Sequence, residues 1–296
     1  MRIGLDLMLK QKKCAVTGAT GYLGAHLVLE LEHHGWEVVE IGRKPLSKTS
    51  RNFIQWDLDM PLEPQAIDGI DALIHCAWDF FTISFDESLM KNVNGSICLL
   101  KQAFGKNLKV IFISTISAFE GTKTIYGRSK FEVENFVLQQ GGIVVRPGLI
   151  WGSNIGGMIG SLSKVIKRFP LIPLPGASQY FYTSHINDLT SLIVLLCDYK
   201  PLPLEDMLIT AVSPIKISFL DIMKILEKKM GKSRFYLPIS WKPLYLILKI
   251  LECLNLKSRF SSDSLLSLMS MKKTVNLSWI EIHRIYFRPF IVHTED

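Results

Sequence analysis

The sequence predicts an α/β protein, built on a doubly wound parallel sheet and followed by a smaller, mostly helical C-terminal lobe. Short apolar runs alternate with longer helical patterns from Lys13 to about Pro147, which is typical of such a sheet. A glycine-rich turn follows the first apolar run. After Trp151 the alternation stops, and glycine, proline and amphipathic helical patterns replace it. We therefore expect a core over residues 1–150 and a second lobe over residues 151–296, with a return of the chain to the core near residues 185–212.

The core elements follow from the position of branched aliphatic residues. Five runs are predicted as buried strands: Cys14–Thr17, Glu37–Ile41, Ala72–Cys76, Val110–Ser114 and Gly142–Arg146. Three segments between them have helical spacing: Tyr22–His34, Ser88–Phe104 and Lys130–Gln140. This order predicts a Rossmann arrangement, in which ligands bind beyond the carboxyl ends of the strands.

The second lobe is expected to be largely helical. Met158–Phe169 and His185–Tyr199 have helical patterns, and Ile215–Ile217 is a candidate short strand. Trp241–Leu256 is the most hydrophobic helix candidate, but two lysines and a glutamate interrupt it. It is therefore unable to span a bilayer, and we expect it to pack within the lobe rather than to act as a surface membrane anchor.

Composition excludes several classes of protein. The chain has 296 residues, 48% hydrophobic and 21% charged, with a net charge of +7 and no basic run or nucleic-acid recognition motif. We expect no nucleic-acid partner, no stable membrane insertion, and a cytoplasmic location. The five cysteines are scattered without a CxxC pair, so we predict buried thiols and neither a metal site nor a disulfide; they are Cys14, Cys76, Cys98, Cys197 and Cys253.

The turn TGATGYLG (Thr17–Gly24) is predicted to bind the pyrophosphate of a dinucleotide. Its glycines, Gly18, Gly21 and Gly24, lie between a strand and a helix, where the backbone must approach phosphate closely. Thr20, Tyr22 and Leu23 are the other expected contacts of this turn.

Tyr126 and Lys130, in YGRSK, are predicted to carry the chemistry. Residues four apart lie on the same side of a helix, so the lysine can favour the phenolate and lower the pKa of the tyrosine. A tyrosine so placed, downstream of a dinucleotide-binding turn, suggests a hydride-transfer enzyme.

Further residues are expected to bind the cofactor at the ends of other strands. Arg43 follows the second strand, where an arginine favours the 2′-phosphate of NADP(H), and Glu40 lies two residues too early to hold the ribose. Asp57 and Leu58 are expected near the adenine; Cys76, Ala77 and Pro147 are expected to line the cofactor site. His75 and Asn92 are interpreted as structural residues.

In their order along the chain, GATGYLG, IHCA, NVNGS, ISTISAF, YGRSK and RPGLIWG resemble the motifs of the extended short-chain dehydrogenase/reductase family, in particular its NAD-dependent epimerase/dehydratase group acting on nucleotide sugars. The resemblance covers about Lys13 to Asn187. It implies a catalytic set of Thr115, Tyr126 and Lys130, with Ser117 as a rival for the hydroxyl and as a substrate contact. The segment SRFSSDSLLSLM (Ser258–Met269) resembles the C-terminal portion of some sugar-modifying members, and this resemblance implies Arg259 as a second substrate contact, to a diphosphate. The family's dehydratases carry Asp-Glu where this chain has Ile116-Ser117, which disfavours dehydration.

The resemblance implies an oxidoreductase or epimerase that uses NAD(P), acts on a nucleotide sugar and uses Tyr126 as acid-base. Arg43 favours NADP(H) and net reduction. A reductase of a hydrophobic carbonyl, steroid-like or flavonoid-like, and a non-catalytic dinucleotide sensor are the alternatives. A homodimer is compatible with the sequence, which does not determine the oligomeric state.

Overall fold

The computed structural model describes residues 11–48, 50, 52–82, 84–152, 156–199, 203, 206–254, 262–270 and 274–290. The strands, numbered along the chain, are β1 (Lys13–Thr17), β2 (Glu37–Gly42), β3 (Phe53–Gln55), β4 (Ala72–His75), β5 (Lys109–Ile113), β6 (Ile143–Pro147), β7 (Leu149–Trp151), β8 (Leu171–Pro175), β9 (Tyr180–Phe181), β10 (Thr183–His185), β11 (Leu208–Ala211), β12 (Ile217–Ser218) and β13 (Phe235–Ile239). The helices are α1 (Tyr22–His33), α2 (Phe85–Ser88), α3 (Asn94–Gly105), α4 (Ile125–Gln139), α5 (Gly157–Arg168), α6 (Ile186–Asp198), α7 (Phe219–Lys229), α8 (Trp241–Cys253), α9 (Ser262–Met269) and α10 (Ser278–Ile282).

Seven parallel strands form the central sheet, in the order β11-β6-β5-β4-β1-β2-β3. The strand order reverses at β1, so the chain winds outward in both directions from the first strand. The predicted doubly wound α/β fold is therefore confirmed, and the carboxyl ends of β1 and β4 meet beside the reversal point.

Alternate residues of each strand face opposite layers of helices. On one side, Val16 and Ile111 pack with helices α1 and α6. On the other side, Ala15 and Phe112 pack with helices α3 and α4. Because both faces are covered, most residues of the central strands are apolar, as expected of a parallel sheet.

Helix α4 and strand β12 do not start where the sequence predicts. Helix α4 begins at Ile125 rather than Lys130 because the Thr124 hydroxyl accepts the Gly127 N–H at 3.0 Å and caps the first turn. The short strand near residue 215 is β12, which starts at Ile217. Strand β11 joins the edge of the core sheet beside β6, within the interval 185–212 where the chain was expected to return to the core.

The second lobe has its own apolar core, formed mainly by α5, β8, α7 and α9. It contains the parallel pair β8–β13 and the antiparallel pair β9–β12, so it is less helical than predicted. Helix α8 spans most of the predicted Trp241–Leu256 interval and packs against α9. No helix in the described part of the chain is long and apolar enough to cross a membrane.

The cysteines differ in exposure. Cys14 and Cys197 are buried as predicted, whereas Cys76 is half-buried. The prediction is wrong for Cys98, which is exposed on α3. Helix α3 buries only the residues that face the sheet, such as Leu99, and Cys98 lies on the opposite, solvent-facing side of the helix. The side chain of Cys253 lies outside the described residues.

A buried hydrogen-bond network around Thr17 joins β1 to β4. The Thr17 hydroxyl accepts the backbone N–H groups of Cys76 and Ala77, each at 3.0 Å, and lies 2.7 Å from His75 Nδ1. With both acceptor positions used, the hydroxyl donates its proton to Nδ1, so the Nε2–H of His75 donates to Ser96 Oγ at 2.8 Å. Burial lowers the pKa of His75 to about 3, helped by the charge of Lys130, and the ring stays neutral. Its structural role is as predicted.

Thr17→Val should destabilise the protein, because the variant keeps the shape of the side chain but leaves two backbone N–H groups and His75 without their partner. We expect the free energy of unfolding to fall by about 2–4 kcal/mol. Urea unfolding measures the loss. Thr17→Ser is the matched control, since it retains the hydroxyl; a loss from Thr17→Val that is no larger than the loss from Thr17→Ser would contradict the role of the network.

Candidate active site

The glycine turn between β1 and α1 forms a tight cradle. Gly18 has φ +69°, and a Cβ there would lie 2.9 Å from the Ala77 backbone nitrogen. A Cβ on Gly24 would lie 2.2 Å from the Gly18 carbonyl oxygen. The N-cap residue of α1 is Gly21, which has no side chain to occupy the helix N-terminus. This cradle fits a phosphate group that approaches the backbone and the positive end of the helix.

The other residues predicted in this turn take different positions. Thr20 is exposed at the turn. The ring of Tyr22 packs against the second lobe, since a Cβ on Gly156 would lie 2.3 Å from it. The side chain of Leu23 is buried in the core, so only its backbone can face the cradle.

Glu40, near the end of β2, and Arg43, just after it, have different surroundings. The Glu40 carboxylate is buried and accepts the Leu46 N–H at 2.6 Å and the Ser50 hydroxyl at 2.7 Å, so it holds the following loop. Arg43 is exposed at the carboxyl edge of the sheet, and its charge helps to lower the pKa of Asp79. Thus Arg43 is the cation that follows β2 at the edge where a cofactor would bind.

The remaining predicted cofactor residues lie at strand ends. Asp57 follows β3 and is half-buried, with one carboxylate oxygen accepting the Leu58 N–H at 2.8 Å. Leu58 itself is buried, and Gly95 of α3 packs against its carbonyl group. Cys76 and Ala77 follow β4 next to Gly18. Pro147 ends β6 and is buried, and its carbonyl accepts the Ile116 N–H at 3.1 Å.

Tyr126 and Thr115 face each other across the site. Tyr126 is in the first turn of α4, and Thr115 follows the end of β5. Burial raises the pKa of Tyr126 above its ordinary value, while the hydrogen bond from Thr115 acts in the opposite direction. Thr115 Oγ1 also accepts the Ser117 N–H at 3.2 Å. Thr115 and Ser117 are both buried near the first turn of α4, where the Ser117 carbonyl packs against Gly127.

Lys130 is buried one helical turn beyond Tyr126. Its ammonium group donates to the Ile113 carbonyl at 2.6 Å and lies 3.9 Å from the centre of the Trp78 ring. Burial lowers the pKa of Lys130 to about 7, against the effects of Cys76 and Glu134. The sequence predicted that Lys130 would lower the pKa of Tyr126, but in this structure the pKa is raised. The Lys130 ammonium group is held by the Ile113 carbonyl, and desolvation of the phenol has the larger effect.

Arg146, the residue before Pro147, is bound to a carboxylate within the core domain. Arg146 forms a two-pronged salt bridge with the buried Glu134 of α4, at 2.8 Å and 2.5 Å, so it pairs with a carboxylate. Arg259 lies outside the described residues. Glu30, His33 and His34 bring three side chains of metal-ligating types together near the end of α1 and the residue after it, but they lie about 16 Å along the helix from the glycine turn.

The sequence reasoning missed the aromatic wall of the site. The rings of Trp78 and Phe80 lie 6.1 Å and 5.6 Å from the Tyr126 ring, and Phe80 is largely exposed. Asn92 fixes the loop that carries them: it accepts the Asp79 N–H at 2.8 Å and donates to the Asp79 carbonyl at 2.9 Å. Asn92 belongs to a π-helical turn, a distortion frequent at functional sites. The available sequence signal was the aromatic cluster after IHCA.

Asp263 of α9 was also missed. Its carboxylate accepts the backbone N–H groups of Ile125 at 2.7 Å and Tyr126 at 3.0 Å. A group from the second lobe thus binds the first turn of the helix that carries the tyrosine. The pairing joins residues 137 positions apart, and the sequence alone gave no signal for it.

This site and fold are those of an extended short-chain dehydrogenase/reductase: a Rossmann sheet carries the glycine cradle, and α4 carries the tyrosine and the lysine. The chain belongs to the NAD dependent epimerase/dehydratase family, whose pattern matches residues 14–169.

One relative and two solved structures show how far the chain is similar to known proteins. A ceramide reductase of Caulobacter vibrioides is 27% identical over 194 residues, which cover 62% of this chain and 60% of that protein. The chain thus spans about three fifths of the length of this relative. MoeE5 in complex with UDP-glucuronic acid and NAD has a TM-score of 0.67 at 20% identity, covering 77% of this chain and 85% of MoeE5. The structure of gox2253 has a TM-score of 0.72 at 17% identity and covers 94% of each chain; both show the fold.

Lys130→Met should stabilise the protein without cofactor at pH 6 and have little effect near pH 10. The folded pKa of about 7 lies below the ordinary 10.5, so the unfolded chain binds more protons between these values. The free energy of unfolding of the wild type therefore rises with pH between about 7 and 10.5. The cost of burying the charged lysine, on the order of a few kcal/mol, is present in full only below pH 7. Urea unfolding across this pH range measures it. Lys101→Met, on the exposed side of α3, is the control. A gain independent of pH would contradict the argument.

Proposed function

We propose that the protein is an NAD(P)-dependent oxidoreductase that reduces a carbonyl group of a nucleotide sugar, with Tyr126 as the proton donor. The observation that carries the proposal is the convergence of Tyr126, the buried Lys130 and the buried Thr115 at the carboxyl end of β5, at the same sheet edge as the glycine cradle. The combination supplies a proton donor, a hydrogen-bond donor and a cofactor-binding turn at one site.

In this proposal, Thr115 donates a hydrogen bond to the substrate oxygen and Tyr126 transfers its proton to that oxygen. The bound nicotinamide supplies the hydride to the carbonyl carbon. Lys130 is positioned to hold the nicotinamide ribose and to stabilise the phenolate left on Tyr126. Burial keeps Tyr126 protonated at neutral pH, so the tyrosine starts in the state that a reduction requires.

NADPH is the proposed cofactor. Arg43 is an exposed cation after β2 and can pair with a 2′-phosphate. Glu40, the acid of that strand, is buried and engaged by Leu46 and Ser50, so it neither repels the phosphate nor holds a ribose hydroxyl.

The nucleotide-sugar class is supported by the family and by the likeness to MoeE5, which binds UDP-glucuronic acid. A second candidate, a hydrophobic carbonyl substrate, is favoured by a specific observation. Trp78 and the exposed Phe80 wall the Tyr126 ring, and the relative from Caulobacter vibrioides acts on ceramide by its name. The non-catalytic sensor is disfavoured because Thr115, Tyr126 and Lys130 are all retained.

Tyr126→Phe should abolish turnover and leave NADPH affinity nearly unchanged, because it removes only the transferable proton. Thr115→Val should lower kcat/KM on the order of 10²-fold. The measurement is NADPH oxidation with two substrate panels, nucleotide keto-sugars and apolar ketones, and the active panel identifies the class. Tyr286→Phe, at an exposed tyrosine, is the control. Retention of a tenth of the activity by Tyr126→Phe, or a larger loss from Ser117→Ala than from Thr115→Val, would refute these assignments.

Arg43→Ala should weaken NADPH binding at least tenfold while NADH binding changes little, since only NADPH carries the 2′-phosphate. Fluorescence titration of each cofactor measures the two affinities. Lys101→Ala removes the same charge on α3 and is the control. Equal wild-type affinities, or NAD that co-purifies with the protein, would instead support an epimerase.

A further inference from the structure

The strand pair β8–β13 turns an apolar face to solvent. Its register places Leu171 beside Phe235 and Pro173 beside Leu237. Alternation along the strands puts these four side chains on the outward side, where Phe235 is 79% exposed. The intervening residues Ile172 and Leu174 are buried. We call Leu171, Pro173, Phe235 and Leu237 the strand-pair face.

Helix α8, which starts two residues after β13, also exposes its apolar side. Only Leu248 of the described α8 side chains is buried. Pro243, Leu246, Ile247 and Ile250 are exposed and fall within an arc of about 100° at 3.6 residues per turn. We call these four residues the α8 stripe. A helix side that faces water is ordinarily polar, so this stripe is built to be covered.

Most charged residues around these surfaces are cations; the flanking Glu227 accepts the Arg234 N–H at 2.9 Å, and Glu252 lies 3.7 Å from Lys249. Residues 156–187 and 228–251 contain no aspartate or glutamate, and they carry nine cations: Lys164, Lys167, Arg168, Lys228, Lys229, Lys232, Arg234, Lys242 and Lys249. Because β8 and β13 are parallel, the basic residues that precede each strand lie at the same end of the pair. At that end Arg168 lies 5.6 Å from the centre of the Phe169 ring.

We propose that the second lobe binds the surface of an anionic lipid bilayer through the strand-pair face and the α8 stripe. Exposed apolar side chains with many cations and few carboxylates match the interface of such a bilayer, where each cation contributes about 1 kcal/mol. A second copy of the chain is a poorer partner, because a symmetric contact would bring these cations against each other. The contact is interfacial and does not depend on the proposed catalytic activity.

Co-sedimentation of the full chain with lipid vesicles tests the proposal. We expect binding to phosphatidylcholine vesicles that contain about one third phosphatidylglycerol, weakened on the order of tenfold without the anionic lipid or at high salt. Phe235→Ser/Leu237→Ser and Leu246→Ser/Ile250→Ser should each lower the affinity severalfold, and Lys167→Glu/Lys232→Glu should do the same by charge alone. Leu29→Ser/Leu195→Ser, at exposed leucines of α1 and α6, should bind as the wild type does.

Thermal unfolding and dinucleotide binding check that each variant is folded. If an apolar variant does not fold, the proposal is tested with Lys167→Glu/Lys232→Glu, whose substitutions are both at exposed residues. Absence of binding by the wild type overturns the proposal. Equal binding to neutral vesicles, or equal loss in the control, also overturns it. Light scattering that finds a dimer, converted to monomer by the apolar variants, together with no vesicle binding, would assign the surfaces to self-association instead.

Discussion

The hydroxyl group of Thr17 holds together the two strand ends on which the candidate site is built. It binds the backbone after β4 at Cys76 and Ala77, and it orients His75 toward Ser96 of α3. The glycine cradle depends on this contact, since Gly18 lies so close to Ala77 that a side chain at Gly18 would separate the strands. One buried hydroxyl therefore fixes both the phosphate-binding turn and the start of the loop that carries the aromatic wall.

Desolvation is the second constraint on the site, and it acts on both members of the tyrosine–lysine pair. The same burial that raises the pKa of Tyr126 lowers that of Lys130, so each group is held toward its neutral form. A bound cofactor would bring new charge and hydrogen bonds to this environment. The apoprotein thus carries a cost in stability that is characteristic of functional sites, where residues are placed for chemistry rather than for folding.

The second lobe supplies one side chain to the site, and it also exposes an unusually apolar surface to solvent. Asp263 binds the first turn of α4 and so connects the position of α9 to that of Tyr126. Elsewhere in the lobe, β13 and α8 expose apolar residues among cations. Both features arise from the segment after Phe219, where the motifs of the family no longer apply.

The sequence by itself determined the sheet, the glycine turn and the tyrosine–lysine pair, because each depends on local spacing. Alternation of short apolar runs gave the strands, and a four-residue interval placed Tyr126 and Lys130 on one side of a helix. Only the tertiary structure decided that Glu40 is occupied by its own loop and that Asp263 binds the first turn of α4 from 137 residues away. It also decided the net pKa of Tyr126, since burial depends on the packing of distant segments, which residue spacing does not specify.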